Sequence, residues 1–269
     1  MKKGLSQSLN LASARLSSPL SSPTSSRGIL QTSSANKTGL SLRLDSTLKD
    51  GHDMKTFGLG TAATLSSRHR YAKFTSSMLH AYEALENSLD ECASEPVSHV
   101  WKEFKDDLRR SEKLKEDFYD VKDALDCFEP SVATKGYVNS MVLAGKRDDE
   151  DGGGRLIGHL YCRYFADLMG GQVLAYPTRL ALGLKGGTPR HYDFGKFGEE
   201  RKVNVERLYR AFNEAGEMMG PEKIEDVVEE TYLAFEENVK VYKEDGRLWQ
   251  DSAIGGFNVV KGLLHAQTK

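Results

Sequence analysis

Apolar residues recur at helical spacing through most of the chain, and strand-like alternation of apolar and polar residues is rare. The spacing predicts a helix that carries Tyr82 and Leu85 on one face and ends near Leu89. A second amphipathic helix is predicted over residues 108–125, before Pro130. The pattern therefore predicts an all-α protein.

The second half of the chain continues the helical pattern. The acidic, glycine-rich residues 147–154 predict a solvated loop, and residues 185–197, with glycines and a proline, predict an irregular connection. Pro221 suits the first turn of a helix. Three further helices are predicted, over residues 155–182, 199–219 and 221–244.

Residues 1–44 differ in composition from the rest of the chain. They hold twelve serines and six basic residues, with no acid and no aromatic residue. Because so little apolar surface cannot offset the entropy of ordering, the segment is predicted to be disordered or cleaved. Its composition is typical of an organelle transit peptide, and a flexible cytosolic tail is the alternative. The chain thus divides into this tail, a helical domain over residues 45–248 and a C-terminal extension over residues 249–269.

Charge and composition exclude several classes of protein. The net charge is −2, but the chain beyond residue 44 holds 31 basic and 39 acidic residues, which disfavours binding to nucleic acid. No apolar run approaches the roughly 18–20 residues of a membrane-spanning helix, so no membrane span is expected. The three cysteines lie far apart without a CxxC pair, which excludes a disulfide framework and a zinc knuckle.

Two adjacent glycines, Gly170 and Gly171, stand in the middle of an apolar helical stretch, where each costs about 1 kcal/mol relative to alanine. A kink or close helix packing explains most such pairs. The alternative is a large flat ligand that approaches the backbone itself. Asp167 lies one turn before Gly171, and Arg163 lies four residues before Asp167, which is also the ordinary spacing of a surface ion pair.

The wider stretch around these glycines, LIGHLYCRYFADLMGGQVL over residues 156–174, resembles the distal-helix signature of the haem oxygenase family. Residues 77–86 resemble the family's second helix, with Tyr82 at the position of its tyrosine, and residues 108–118 resemble the next helix. Further agreement comes from Leu208-Tyr209-Arg210 and from residues 234–238. The resemblance covers about residues 48–244.

The resemblance implies a single-domain helical bundle that holds haem between a proximal and a distal helix. Haem would be both substrate and cofactor. Its oxidation by molecular oxygen at the α-meso carbon would yield biliverdin, carbon monoxide and ferrous iron. The resemblance also implies an electron donor, a ferredoxin or an NADPH-dependent reductase. The composition of the tail predicts a plastid location, with the cytoplasm as the alternative. An acidic donor would need a local basic patch such as Lys102, Lys105, Arg109 and Arg110.

The resemblance also assigns roles to individual residues. Asp167, Arg163 and Tyr82 match the residues that support a water network for proton delivery. Gly170 and Gly171 match the glycines that lie against the porphyrin face.

Other matches concern the edge of the haem. Tyr161 and Arg210 match contacts to the haem propionates, and Phe235 matches a residue that packs near the haem. Glu206 is a departure, since the family often has lysine there, and it weakens the basic rim.

The proximal iron ligand is ambiguous in the sequence. Counting back from Tyr82 favours His52, whereas the lead-in at residues 48–51 places Thr56 at the ligand position. His69 is a third possibility. Two functions therefore stand: a haem oxygenase with His52 on the iron, or a catalytically inactive haem-oxygenase-like tetrapyrrole-binding protein that lacks the proximal histidine. A helical scaffold without any tetrapyrrole would leave the glycine pair unexplained.

Overall fold

The computed structural model of the protein describes residues 34–48, 52–184 and 187–267, without the side chains of residues 52–54. Within these ranges the regular structure is helical, so the prediction of an all-α protein is confirmed. The helices are α1 (Gly39–Thr47), α2 (His52–Thr64), α3 (Arg68–Glu91), α4 (Glu95–Leu108), α5 (Ser111–Val121), α6 (Val132–Asp151), α7 (Arg155–Leu160), α8 (Gln172–Leu182), α9 (Gly195–Glu199), α10 (Arg201–Glu217), α11 (Pro221–Lys243) and α12 (Leu248–Gln267). None of these described helices combines the length and the apolar content that a bilayer crossing requires.

Helix α3 lies at the centre of the bundle, where it packs against α5, α6 and α7. The positions predicted for its inner face, including Tyr82 and Leu85, are fully buried. Helix α11 packs against α7 and α6, and α10 packs against α4 and α1. The long helical segment from α7 to α8 therefore has neighbouring helices on several sides.

The helix predicted over residues 108–125 is wrong at its start, because the chain breaks between α4 and α5. The buried carboxylate of Glu86 accepts hydrogen bonds from the backbone amides of Arg110 (2.6 Å) and Ser111 (3.0 Å). Glu86 thus binds free amides at the start of α5, which favours a helix start at that point. Helix α4 was not predicted.

Two residues of the predicted basic patch, Arg109 and Arg110, make contacts within the bundle, whereas Lys102 is exposed. Arg110 is buried and donates hydrogen bonds to the carbonyls of Leu108 and Asp193 (2.8 and 2.7 Å). Arg109 forms an ion pair with Asp90. Both arginines therefore serve the packing of the bundle.

The solvated loop predicted over residues 147–154 is also wrong for most of its length, since α6 continues to Asp151. Asp148 is fully buried, and its carboxylate accepts the backbone amides of Arg155 and Leu156 (both 2.9 Å) at the start of α7. Burial raises the pKa of this carboxyl to about 6, although hydrogen bonds from both amides oppose the shift. Asp148 thus binds the first amides of α7, the helix that leads to the candidate site.

The predicted boundary at residue 44 falls within α1. Leu40 and Leu44 on this helix are buried in the main core, so the folded domain includes residues that composition had assigned to the tail. The rest of the predicted tail, residues 1–33, lies outside the described residues.

The helix predicted over residues 155–182 is confirmed as one continuous segment. It contains two π-helical turns, Tyr161–Phe165 and Asp167–Gly171, between α7 and α8. Such turns widen a helix locally and occur often at functional sites. Pro177 lies inside α8 and cannot donate a hydrogen bond to the preceding turn.

The C-terminal extension forms α12, which packs closely against α2 and α8. A Cβ atom on Gly255 would lie 1.8 Å from the carbonyl oxygen of Ala62 on α2. Ser252 donates a hydrogen bond to the carbonyl of Leu59 (2.7 Å), and Asn258 donates one to the carbonyl of Leu65 (2.9 Å). The extension is therefore an integral part of the folded domain.

Two neighbouring glycines in α12 test this contact. Gly255→Ala should lower the free energy of unfolding by about 1–3 kcal/mol, because the added methyl must push backbone apart. Gly256→Ala is the matched control, since nothing lies within 4 Å of its Cβ position and alanine favours helix by about 1 kcal/mol. Chemical denaturation measures both, and equal effects of the two changes would contradict the described packing.

Candidate active site

A cavity of about 470 Å³ lies between α2 and the segment that joins α7 to α8. Its size falls within the roughly 300–1,000 Å³ typical of pockets that enclose small molecules. Most of the lining is apolar, and the polar exceptions include Arg163 and Asp167. The apolar lining includes Leu48, Phe57, Leu65, Phe74, Leu174, Pro177, Phe235 and Val259.

Two glycines on different helices leave flat surfaces in this cavity. Gly58 of α2 and Gly170 of the second π-helical turn both line it, and a Cβ atom on either would meet nothing within 4 Å. The neighbouring Gly171 has a different role, because a Cβ there would lie 2.4 Å from the ring of Tyr192. Both glycines of the predicted pair line the cavity, but only Gly171 also packs against an aromatic ring.

A buried hydrogen-bonded network stands beside Gly170. The hydroxyl of Tyr82 donates to Asp167, and Arg163 lies 3.6 Å from the other oxygen of this carboxylate. Arg163 also donates to the side-chain oxygen of Asn238 (3.0 Å) and lies over the ring of Tyr82. The structure therefore brings together all three predicted catalytic residues.

The protonation states within this network follow from its burial. Burial raises the pKa of Tyr82 well above its usual value, and the charge of Asp167 acts in the same direction. Burial acts to lower the pKa of Arg163, but Tyr82 and Asp167 outweigh it and hold that pKa well above its ordinary range. At neutral pH Tyr82 is consequently a neutral hydrogen-bond donor and Arg163 a cation.

Asp45 organises a second polar cluster next to the first π-helical turn. Tyr161, which was predicted to contact a propionate, donates its hydroxyl to Asp45 (2.5 Å). Tyr209 donates to both oxygens of the same carboxylate (3.0 and 2.9 Å), and Lys37 pairs with it. Burial raises the pKa of Tyr161 well above its usual value, so its phenol is a donor. Asp45 therefore ties α1 to α10 and to the first π-helical turn.

The remaining predicted residues at the edge of the site are separated. Phe235 on α11 lines the cavity. Arg210 is exposed on α10 and lies 3.8 Å from Glu214, and it does not line the cavity. Glu206 accepts a hydrogen bond from the side chain of Asn36 (2.7 Å). The assignment of Arg210 to a propionate stays a prediction.

No described histidine side chain lines the cavity. His69 is exposed and lies 2.8 Å from the carbonyl of Ala124, whereas His159 is buried 2.9 Å from Glu230. Thr56 is buried and does not line the cavity. His52 begins α2, and its side chain lies outside the described residues.

Sequence reasoning missed two residues that shape this site. Tyr192 belongs to the connection predicted to be irregular, yet its ring covers Gly171 and lines the cavity. Asp45 sits at the predicted edge of the tail. An aromatic residue within a glycine-rich connection was the available signal for Tyr192, and a lone acid after an acid-free segment was the signal for Asp45.

Comparison with known proteins relates the whole helical domain to one family. The sequence profile of the Heme oxygenase family matches residues 41–244. The heme oxygenase of Rhodella violacea is 29% identical, over 84% of this chain and 95% of its own length. Heme oxygenase 1 of Gallus gallus is 32% identical, over 77% of this chain and 67% of its own.

Solved structures share the fold. Heme oxygenase-2 from Synechocystis sp. PCC 6803, a complex with heme and NO, aligns with a TM-score of 0.68 and 25% identity, over 84% of this chain and 92% of its own. Heme oxygenase 2 from Chlamydomonas reinhardtii, without heme, aligns at a TM-score of 0.65 and 23% identity, over 77% of this chain and 97% of its own. The profile match, the relatives and the shared fold lead to one conclusion: the chain belongs to the heme oxygenase family.

Proposed function

We propose that the protein is a haem oxygenase that cleaves haem with molecular oxygen into biliverdin, carbon monoxide and ferrous iron. The observation that carries this proposal is the buried network of Tyr82, Asp167 and Arg163 beside Gly170 at an apolar cavity. The relatives named above, which are heme oxygenases, support the same reaction.

The cavity suits a flat, largely apolar ring. Gly58 and Gly170 have open space at their Cβ positions, so backbone rather than side chain meets a ligand on these two helices. Phe57 and Phe235 supply apolar surface for the ring to pack against. Planar ligands with polar edges gain most of their binding energy in such a site from buried apolar area.

His52 is the residue that we propose for the iron. It begins α2, the helix that forms one wall of the cavity, and the described histidines are directed elsewhere. A neutral imidazole is the usual proximal ligand of haem in proteins. His52 would then hold the haem from the α2 wall of the cavity, and the network of Asp167 would meet it from the segment between α7 and α8.

When bound, haem supplies the iron at which oxygen reacts and the meso carbon that is oxidised. The residues of the chain manage protons and water. Tyr82 donates a hydrogen bond to Asp167 and fixes the orientation of that carboxylate, while Arg163 balances its charge. Because Asp167 lines the cavity, its carboxylate can order water there and pass protons to the reacting group.

The propionates of haem are the second polar feature that the protein must satisfy. We infer that Tyr161 and Arg210 contact them. Tyr161 lines the cavity, and its hydroxyl would have to turn from Asp45 to a propionate. Arg210 is exposed, and within the part of the chain that the structure describes its ion pair is the long one with Glu214, so its guanidinium can reach a carboxylate.

The reaction consumes electrons, and we propose a ferredoxin or an NADPH-dependent reductase as their source. We further propose a plastid location, which rests on the basic, acid-free and serine-rich composition of residues 1–33, the part of the predicted tail that precedes the described residues. A cytoplasmic location is the alternative.

An absorption spectrum tests the proposed reaction and its iron ligand. The full-length protein mixed with haemin should give a sharp Soret band, and ascorbate or reduced ferredoxin should convert it into the spectrum of biliverdin. His52→Ala should abolish conversion, and added imidazole should restore part of the original haem spectrum. His69→Ala is the matched control, because His69 is exposed and away from the cavity. Haem that binds but yields no bilin would contradict the proposed activity.

A change at Asp167 tests the proton network. Asp167→Asn keeps the shape of the side chain and an acceptor for Tyr82, but it removes the charge beside Arg163. We expect haem affinity to change by less than about threefold and the rate of biliverdin formation to fall about 10²-fold, the usual contribution of a positioned acid or base. Glu225→Gln, at an exposed carboxylate, is the control. An unchanged rate in Asp167→Asn would remove this residue from the mechanism.

The glycine pair tests the fit of the ring. Gly170→Ala should leave the stability of the ligand-free protein unchanged or slightly higher, because its Cβ meets only open space, but it should weaken haem binding about tenfold. Gly171→Ala should instead destabilise the ligand-free protein, because its Cβ would displace the ring of Tyr192. Thermal denaturation and haem titration separate the two effects. Equal haem affinity in Gly170→Ala and the unaltered protein would argue against a ring lying on Gly170.

A further inference from the structure

Helix α12 has the reverse of the polarity expected for a helix packed on a protein surface. Most residues that face the protein are small or polar: Asp251, Ser252, Gly255, Asn258 and Gly262. The apolar exceptions are Leu248 and Val259, which pack against the core. The residues that face outward are large and apolar: Trp249, Ile254, Phe257, Val260, Leu263 and Leu264.

The inward contacts fix this orientation. Ser252 and Asn258 donate to backbone carbonyls near the end of α2, and Asp251 forms an ion pair with Arg70. Gly255 and Gly262 lie against the backbone of α2 and α8. Rotation of α12 about its axis would break these contacts, so the apolar side is held outward.

The outward residues stand well clear of the rest of the protein. The exposed fractions of Trp249, Phe257 and Val260 are 74%, 66% and 54%. An exposed apolar surface of this extent marks a site of contact with a protein or a membrane. We call these six outward residues the α12 face.

The α12 face lies beside the entrance to the cavity. Val259, next to Val260 in α12, lines the cavity from this side. On the adjacent helix α8, Val173 lines the cavity while 60% of its surface is exposed, and Tyr176 is also exposed. Apolar surface is therefore continuous from the outside of α12 to the interior of the cavity.

The charge on this helix differs from that of the chain as a whole. Residues 252–267 contain no acid, and Lys261 and His265 are exposed beside the apolar side chains. The chain beyond residue 44 is otherwise acidic, with 39 acidic and 31 basic residues. Large apolar side chains with a tryptophan, an adjacent lysine and no acid are typical of a helix that lies in the surface of a bilayer that contains anionic lipid.

We propose that the α12 face binds the surface of a lipid bilayer and sets the entrance of the cavity against it. The helix presents a ridge of single large side chains rather than a groove, which suits insertion into a fluid surface. Lys261 complements anionic headgroups. A second copy packed on the same face about a two-fold axis near Lys261 would bring the two lysines together.

This placement also concerns the substrate, and in that respect it rests on the proposed function. Haem is a flat, largely apolar molecule that partitions into bilayers. A bilayer at the entrance would let haem pass from lipid to the cavity across Val173 and Val259 without crossing water.

Flotation with vesicles tests the proposal on the full-length protein without haem. The protein should float with vesicles of phosphatidylcholine that contain phosphatidylglycerol and should bind less to phosphatidylcholine alone. The triple variant Trp249→Ser, Phe257→Ser, Val260→Ser should bind at least tenfold less. The control triple variant Tyr119→Ser, Val132→Ser, Val203→Ser removes equally exposed apolar residues elsewhere and should bind as the unaltered protein does.

A second measurement needs no destabilising change. The chain has two tryptophans, Trp101, which is 2% exposed, and Trp249. Vesicles with brominated acyl chains should quench the fluorescence of the unaltered protein, and Trp249→Phe should abolish the quenching because Trp101 is buried.

An absence of flotation and quenching would overturn the proposal, and so would equal binding by the two triple variants. It would also be overturned if the protein is a dimer in sedimentation, the Trp249, Phe257 and Val260 changes dissociate that dimer, and vesicles bind neither form. Conversion of haemin supplied from solution should be equal in the unaltered protein and both triple variants. If none of them forms a bilin, the proposed reaction fails while the vesicle result stands by itself.

Discussion

A buried pair of opposite charges, Arg163 and Asp167, is the constraint around which the candidate site is arranged. Both side chains are almost fully removed from solvent, and burial of a charge is costly unless hydrogen bonds compensate it. The compensation comes from other helices: Tyr82 on α3 donates to Asp167, and Asn238 on α11 accepts from Arg163. Loss of Tyr82 or Asn238 would leave a buried charge without one of its hydrogen bonds, so three helices are fixed relative to one another by the same few atoms.

Hydrophobic periodicity predicted the helices that have one buried face and one exposed face. Helices α10 and α11 and the continuous segment from α7 to α8 were predicted with approximately correct bounds because their apolar residues repeat over several turns. Helix α6 was missed because most of its buried positions, such as Thr134, Ala144 and Gly145, are small or polar, and because its last turn, at residues 147–151, consists of charged residues. Only the fold reveals that Asp148 in this turn is buried and binds the first amides of α7. Local composition carries no information about such a distant hydrogen-bond partner.

In the candidate site, too, some residues were predicted from sequence, and the roles of others depend on distant contacts. Tyr82, Arg163, Asp167 and the two glycines were predicted because they lie in one helical signature or at a fixed position relative to it. The distinct roles of Gly170 and Gly171 depend on Tyr192, which approaches from a connection without periodicity. Asp45 could not be assigned from sequence, because its importance arises from two tyrosines, Tyr161 and Tyr209, that are more than a hundred residues away.

The wall that α2 contributes to the cavity is completed by contacts that span the chain. Ser252 and Asn258 bind carbonyls of Leu59 and Leu65, each across a separation of 193 residues. Contacts between such distant residues are late steps in folding, since loop-closure entropy must be overcome before they form. During synthesis on the ribosome, the packing of α2 would therefore stay incomplete until α12 has emerged. The ligand cavity would then be among the last features of the domain to form.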